Sequence, residues 1–155
     1  MSGPSAWISL SDMPARSVLP LLLVGLLSLS PPTWADLVVI VHPDNPVRAL
    51  KRDQVSDLYL GRLFSFAPDK PAHILDQPRN SPLRKRFFEK LNGMPLLQLN
   101  AYWARLQFTG EVQPPFEVKD SQAIIDIVRS NPIAIGYIDA VLVPPSVRVV
   151  LRLKE

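Results

Sequence analysis

Between Asp36 and His42 the chain reads DLVVIVH, a β-branched run uninterrupted by any polar side chain from Leu37 to Val41. A strand that lies on a half-wet sheet alternates apolar and polar residues. A continuous run needs cover on both faces, as in the parallel or mixed sheets of α/β domains. Pro43, Asp44, Asn45 and Pro46 then break the strand, with Asp44 read as a turn residue whose side chain bonds the backbone.

The rest of the chain alternates helix and strand. Val55, Leu58 and Tyr59 recur at helical spacing between Lys51 or Arg52 and Leu60, and Gly61 stands where a left-handed stop belongs. Arg62 to Lys70 reads as an irregular surface loop with Phe64 or Phe66 packed down. A strand at His73 to Asp76 precedes a helix from Pro82 to Asn92, whose apolar stripe is Leu83, Phe87, Phe88 and Leu91 and whose stop is Gly93; Arg84 falls off that stripe. The next helix spans about Pro95 to Leu106 and faces the core with Leu96, Leu99, Trp103 and Leu106. Thr109 to Lys119 reads as a loop, and Asp120 or Ser121 caps a helix that ends before Pro132. Two strands close the chain, Ala134 to Ile138 and Val147 to Leu153, separated by Pro144, Pro145 and Ser146. This order predicts an α/β domain with a mixed sheet of four or five strands and helices on both faces.

Residues 1–35 read as a signal peptide: Arg16 supplies the positive start, Ser17 to Ser30 the apolar stretch, and Ala35 the cleavage end. Met13 is an alternative start, and an uncleaved anchor is the alternative fate, although the stretch is short for a span and Pro20 interrupts it. A single domain at 36–155, exported to the periplasm and without stable membrane insertion after cleavage, is the expectation. The chain has no cysteine, so neither a disulfide scaffold nor thiol chemistry is available. Its 17 basic and 14 acidic residues leave a net charge of +3. That excess suits an anionic small ligand or an acidic protein surface, and is too sparse for nucleic acid.

The segment from Ile74 to Leu91, ILDQPRNSPLRKRFFEKL, carries the candidate site. A strand feeding a helix start brings together free backbone amides at Leu83 and Arg84, the Ser81 hydroxyl and the Arg84 guanidinium. Such sets hold small oxyanions without metal, cofactor or covalent chemistry. Ordinary capping by Ser81 with Pro82 at the first helical position explains the same residues. Catalysis has little support, because His42 and His73 lack metal-ligand spacing and no nucleophile-elbow pattern occurs.

Three segments in order, Ile40 to Val47 leading to Leu58-Tyr59-Leu60-Gly61-Arg62, then Asn80 to Arg84 with Phe87 or Phe88, then Asn131 to Tyr137, give the chain a resemblance across nearly all of 36–155. It resembles the substrate-binding proteins of phosphate ABC importers, in particular short single-lobe members. The resemblance implies a single periplasmic-binding-protein-like lobe that binds phosphate or a similar oxyanion reversibly, with an ABC permease or a membrane sensor as partner. In that family the turn after the central strand reads Ser-Gly-Thr-Arg. Ser81 and Arg84 match it, while Pro82 replaces the glycine and Leu83 the threonine, so an amide donor and a hydroxyl are lost. The family's arginine four residues before the serine corresponds to Gln77, with Arg79 close enough to take its place. The implied ligand set is therefore Gln77, Arg79, Ser81, Leu83 and Arg84. Tight binders of the family close two lobes over the ion; one lobe leaves it wet and weakly held. The alternative is a lobe kept as a scaffold or sensory interaction module without tight ligand binding.

Overall fold

The computed structural model describes residues 35–110 and 112–154, with Met1 and Gly3. The chain divides into two compact units, Met1–Pro32 and Thr33–Glu155; among the described residues, every strand and helix belongs to the second. Apart from Met1, Gly3 and Ala35, the expected signal peptide lies outside the described residues. Among the described residues, no helix is long and apolar enough to cross a membrane.

Five strands form one mixed sheet: β1 (Leu37–Val41), β4 (His73–Asp76), β5 (Phe116–Glu117), β6 (Ala134–Asp139) and β7 (Arg148–Leu153), in the order β5-β4-β6-β1-β7. β1 runs antiparallel to β6 and to β7, whereas β4 runs parallel to both β5 and β6. All five residues of β1 are completely buried, and they divide by parity. Leu37, Val39 and Val41 join a core with α1 (Arg52–Tyr59), α2 (Pro82–Asn92) and α3 (Leu96–Thr109). Val38 and Ile40 join Ile124, Ile125 and Val128 of α4 (Ser121–Ser130) on the opposite face. The unbroken run is thus the seam between two cores, with helices on both faces of the sheet.

The first core is aromatic. Phe87 stacks on Tyr137 with ring centroids 3.6 Å apart, and Tyr59 meets both edge-on. The Tyr59 hydroxyl donates to the Leu75 carbonyl, so this tyrosine is buried without an orphan polar atom. In the second core β6 passes so close to α4 that Gly136 is required: a Cβ there would strike Ile124 Cγ2.

Several boundaries differ from the expectations. The Arg62–Lys70 segment holds a hairpin, β2 (Ser65–Ala67) with β3 (Lys70–Pro71), turned by Asp69 at φ 61°. Phe66 packs against the core and Phe64 is exposed. α3 runs to Thr109 and stops at Gly110 with φ 71°, nearly a full turn beyond Leu106. The turn after β1 is held by Asn45, not Asp44: buried Asn45 accepts from the Val47 amide and donates to the Pro132 carbonyl.

Candidate functional site

β4 ends at Asp76 and β5 at Glu117, neighbouring parallel strands whose carboxyl ends open on the same side. Ligands of open α/β sheets gather in that position. A pocket of about 160 Å³ lies there, walled by Asp76, Arg79 and Arg84, by Asn100, Trp103 and Gln107 of α3, and by Pro114, Pro115 and Glu117.

The polar frame of the pocket is built on Asp76. One carboxylate oxygen accepts from the Tyr137 hydroxyl at 2.5 Å and from the Gln77 amide at 2.8 Å; the other accepts from Arg84 Nε at 2.7 Å. Arg84 Nη1 donates further to the Arg79 carbonyl and to Asn100 Oδ1. Its guanidinium also lies over the Phe88 ring, 5.3 Å from the centroid. Both ends of the pair are buried, Asp76 4 % and Arg84 5 % exposed. Burial raises the Asp76 pKa; the Arg84 charge and the bonds from Tyr137, Arg84 and Gln77 pull the other way without cancelling it. Burial, reinforced by the Asp76 charge, lifts the Tyr137 hydroxyl well above its usual range.

The five residues expected at the site separate into two groups. Arg79 and Arg84 line the pocket; Gln77, Ser81 and Leu83 are not among its walls. The Ser81 hydroxyl accepts from the amides of Leu83 and Arg84, which is the capping geometry, so these donors are used within the fold. Gln77 is buried, and its side-chain amide donates to Ser121 Oγ and to the Tyr137 carbonyl. Arg84 does not stand out in solvent as a free counter-charge: it belongs to the interior, as the partner of Asp76. Arg79 is exposed, and its guanidinium has no hydrogen-bond partner among the described residues.

Sequence reasoning missed Asp76, Asn100, Trp103, Gln107 and Glu117. Asn100, Trp103 and Gln107 fall at i, i+3 and i+7 of one helix, so two amides flanking a tryptophan on one face was a usable signal. The Trp103 indole N–H is buried and has no partner among the described residues. No group of three or more His, Cys, Asp or Glu able to hold a metal exists among the described residues.

Neither a protein-family model nor a curated protein sequence matches the chain. Solved structures do. A protein of Clostridium perfringens, described as a phosphate ABC transporter substrate-binding protein with bound phosphate, superposes with a TM-score of 0.60 at 25 % identity, over 75 % of this chain and 44 % of that one. An ABC-type phosphate transport receptor from Vibrio cholerae gives 0.59 at 18 % identity, over 75 % and 45 %. PstS from Borrelia burgdorferi gives 0.53 at 16 % identity, over 75 % and 46 %. The likeness is one of fold, a periplasmic-binding-protein-like lobe, and the chain spans less than half the length of the proteins it matches.

Proposed function

We propose that this chain is an exported solute-binding lobe that takes a small oxyanion, phosphate first, reversibly and without chemistry in the pocket beyond β4 and β5. The observation that carries the reading is the placement of Arg79 and Arg84 around one concavity at the carboxyl ends of parallel strands, in a fold shared with a phosphate-bound protein. Arg79 supplies the accessible charge. Asn100 and Gln107 add neutral amide groups to the wall. The Asp76–Arg84 pair is internally neutral and serves as a rigid wall.

Glu117 in the same wall sets the selectivity. A carboxylate repels a fully ionised anion, but accepts a hydrogen bond from one that still carries a proton. Phosphate near neutral pH keeps such a proton and sulfate does not, so phosphate is the preferred ion. Affinity is low, because the Ser81 hydroxyl and the Leu83 and Arg84 amides are spent on the helix cap and the ion stays partly wet. The expected Kd is on the order of 1 mM, roughly −4 kcal/mol. Calorimetric titration with phosphate and sulfate tests this: phosphate gives saturable heat that Arg79→Ala abolishes, and no heat from either ion overturns the reading.

The second reading, a lobe that serves an ABC permease or a membrane sensor as a scaffold, has its own specific support. The donors that resemble the family's anion-holding turn are committed to capping and to the core. Recovery of a specific membrane partner together with null titrations favours it.

A further inference from the structure

The wall of the pocket beyond β4 and β5 holds four charged side chains, Asp76, Arg79, Arg84 and Glu117, two of each sign. Fully ionised, it is neutral. An anion that enters leaves the wall with excess negative charge, which one proton would offset. The two carboxylates belong to register partners on neighbouring parallel strands, Asp76 of β4 and Glu117 of β5, but their surroundings differ. Glu117 is exposed, whereas Asp76 is buried and has buried Arg84 as its counter-charge.

We propose that Asp76 gates Arg84: a proton taken up by the Asp76 carboxyl frees the Arg84 charge for the bound oxyanion, so the chain gains a proton together with its ion. The proposal rests on the oxyanion reading above and adds its regulation. Two negative groups lay claim to one guanidinium. Arg84 gives Nε to Asp76 at 2.7 Å, and Nη1 to the Arg79 carbonyl and Asn100 Oδ1 at 3.0 and 2.9 Å. Arg84 lines the pocket, and among the described residues nothing accepts from its Nη2. An ion held there and the Asp76 carboxylate compete for the same positive charge, so each weakens the hold of the other. The proton comes from solvent. Placed on the oxygen that faces Arg84, it displaces the bond from Nε, while the other oxygen keeps the bonds from the Tyr137 hydroxyl and the Gln77 amide.

The groups packed around Asp76 leave the proton to it. Tyr59 of α1 and Tyr137 of β6 are kept protonated by burial and by the Asp76 charge. α3 faces the pair with Asn100, and α4 meets Gln77 with Ser121; neither side chain titrates. His73, at the other end of β4, meets Phe116 and Asn131. Burial already raises the Asp76 pKa with Arg84 in place, and an anion on Arg84 raises it further. By reciprocity, the factor by which the ion strengthens proton binding is the factor by which the proton strengthens ion binding. Affinity is therefore lowest in alkaline solution, climbs as pH falls through the ion-bound pKa of Asp76, and levels off below the ion-free value.

Sulfate is the probe, because it carries no proton in this range, and Glu117→Gln removes the other carboxylate of the wall. At constant ionic strength, calorimetry on the Glu117→Gln protein gives a sulfate affinity about tenfold higher at pH 4.5 than at pH 8. With Asp76→Asn added, the affinity at pH 8 already matches the acid value and the profile is flat. Carbon-13 titration of the Asp76 carboxyl in the Glu117→Gln protein reads the same coupling with Asp76 intact: saturating sulfate moves its midpoint up by about one pH unit. An affinity equal within about twofold at the two pH values, a rise that survives Asp76→Asn, or a carboxyl midpoint that sulfate leaves in place overturns the gate while the oxyanion site stands. No binding of phosphate or sulfate at any pH overturns the site and the gate together.

Discussion

Replacing Arg84 by methionine strips the counter-charge from Asp76 while keeping most of the volume. In the variant Asp76 retains the Tyr137 hydroxyl and the Gln77 amide but loses the 2.7 Å contact from Nε in a site where both partners are buried. Breaking a buried pair by removing one partner costs about 3–5 kcal/mol, far more than the intact pair contributes, because a charge is stranded. For a domain of this size that lowers Tm by roughly 10–20 °C. The loss depends on pH. Burial already raises the Asp76 pKa above 3.8 with Arg84 present, and removing the cation raises it further. The folded state then holds this proton more tightly than the unfolded chain, so the carboxyl adds stability at low pH and withdraws it as pH climbs from about 3.8 through the raised folded value. Thermal melts followed by circular dichroism at pH 8 and pH 4.5 read out both effects: the gap between Arg84→Met and wild type is largest at pH 8 and narrows at pH 4.5. Asp76→Asn combined with Arg84→Met recovers much of the loss, since no charge remains to strand. A penalty below about 1 kcal/mol at pH 8, or one equal at both pH values, refutes the buried-pair account.

Other consequences are local. Gly136→Ala drives a methyl into Ile124 beneath the central strand and destabilises the domain by at least about 1–3 kcal/mol in urea unfolding, with unchanged m-value. Ser81→Ala removes the acceptor for two amides at the start of α2 and costs about 1 kcal/mol by the same assay; tenfold weaker phosphate binding without that loss would show that the hydroxyl serves a ligand and not the cap. Glu117→Gln narrows the preference for phosphate over sulfate in paired titrations, because the wall no longer repels the unprotonated ion.

What the sequence made legible was what short-range rules control. DLVVIVH announced burial on two faces, and the structure divides its residues between two cores by parity. Gly93 and Gly110, both at φ 71°, mark helix ends; the second is harder to read because the apolar period of α3 fades after Leu106. The β2–β3 hairpin escapes notice because Asp69, not a glycine, takes the left-handed turn position between strands of three and two residues. Arg84 is the instructive case. Off the apolar stripe of an amphipathic helix it reads as the counter-charge of an anion site, and nothing local says that it is buried in an ion pair. Its burial comes from Asp76, eight residues earlier, and from Asn100, sixteen later. The pocket shares that origin, assembled from a strand end, a turn, a helix face and a proline loop that only the fold brings together.

The most direct test of a ligand pocket beyond β4 and β5 is a phosphate titration followed on the Trp103 indole N–H resonance by NMR, since Trp103 lines the pocket and its buried N–H lacks a partner among the described residues, so the signal reports on the wall. Shifts of this signal that saturate with a midpoint near 1 mM phosphate, together with the amides around Asn100 and Glu117 and without movement at distant Val141, are the predicted result. An unmoved Trp103 signal at tens of millimolar phosphate contradicts the account and leaves the scaffold.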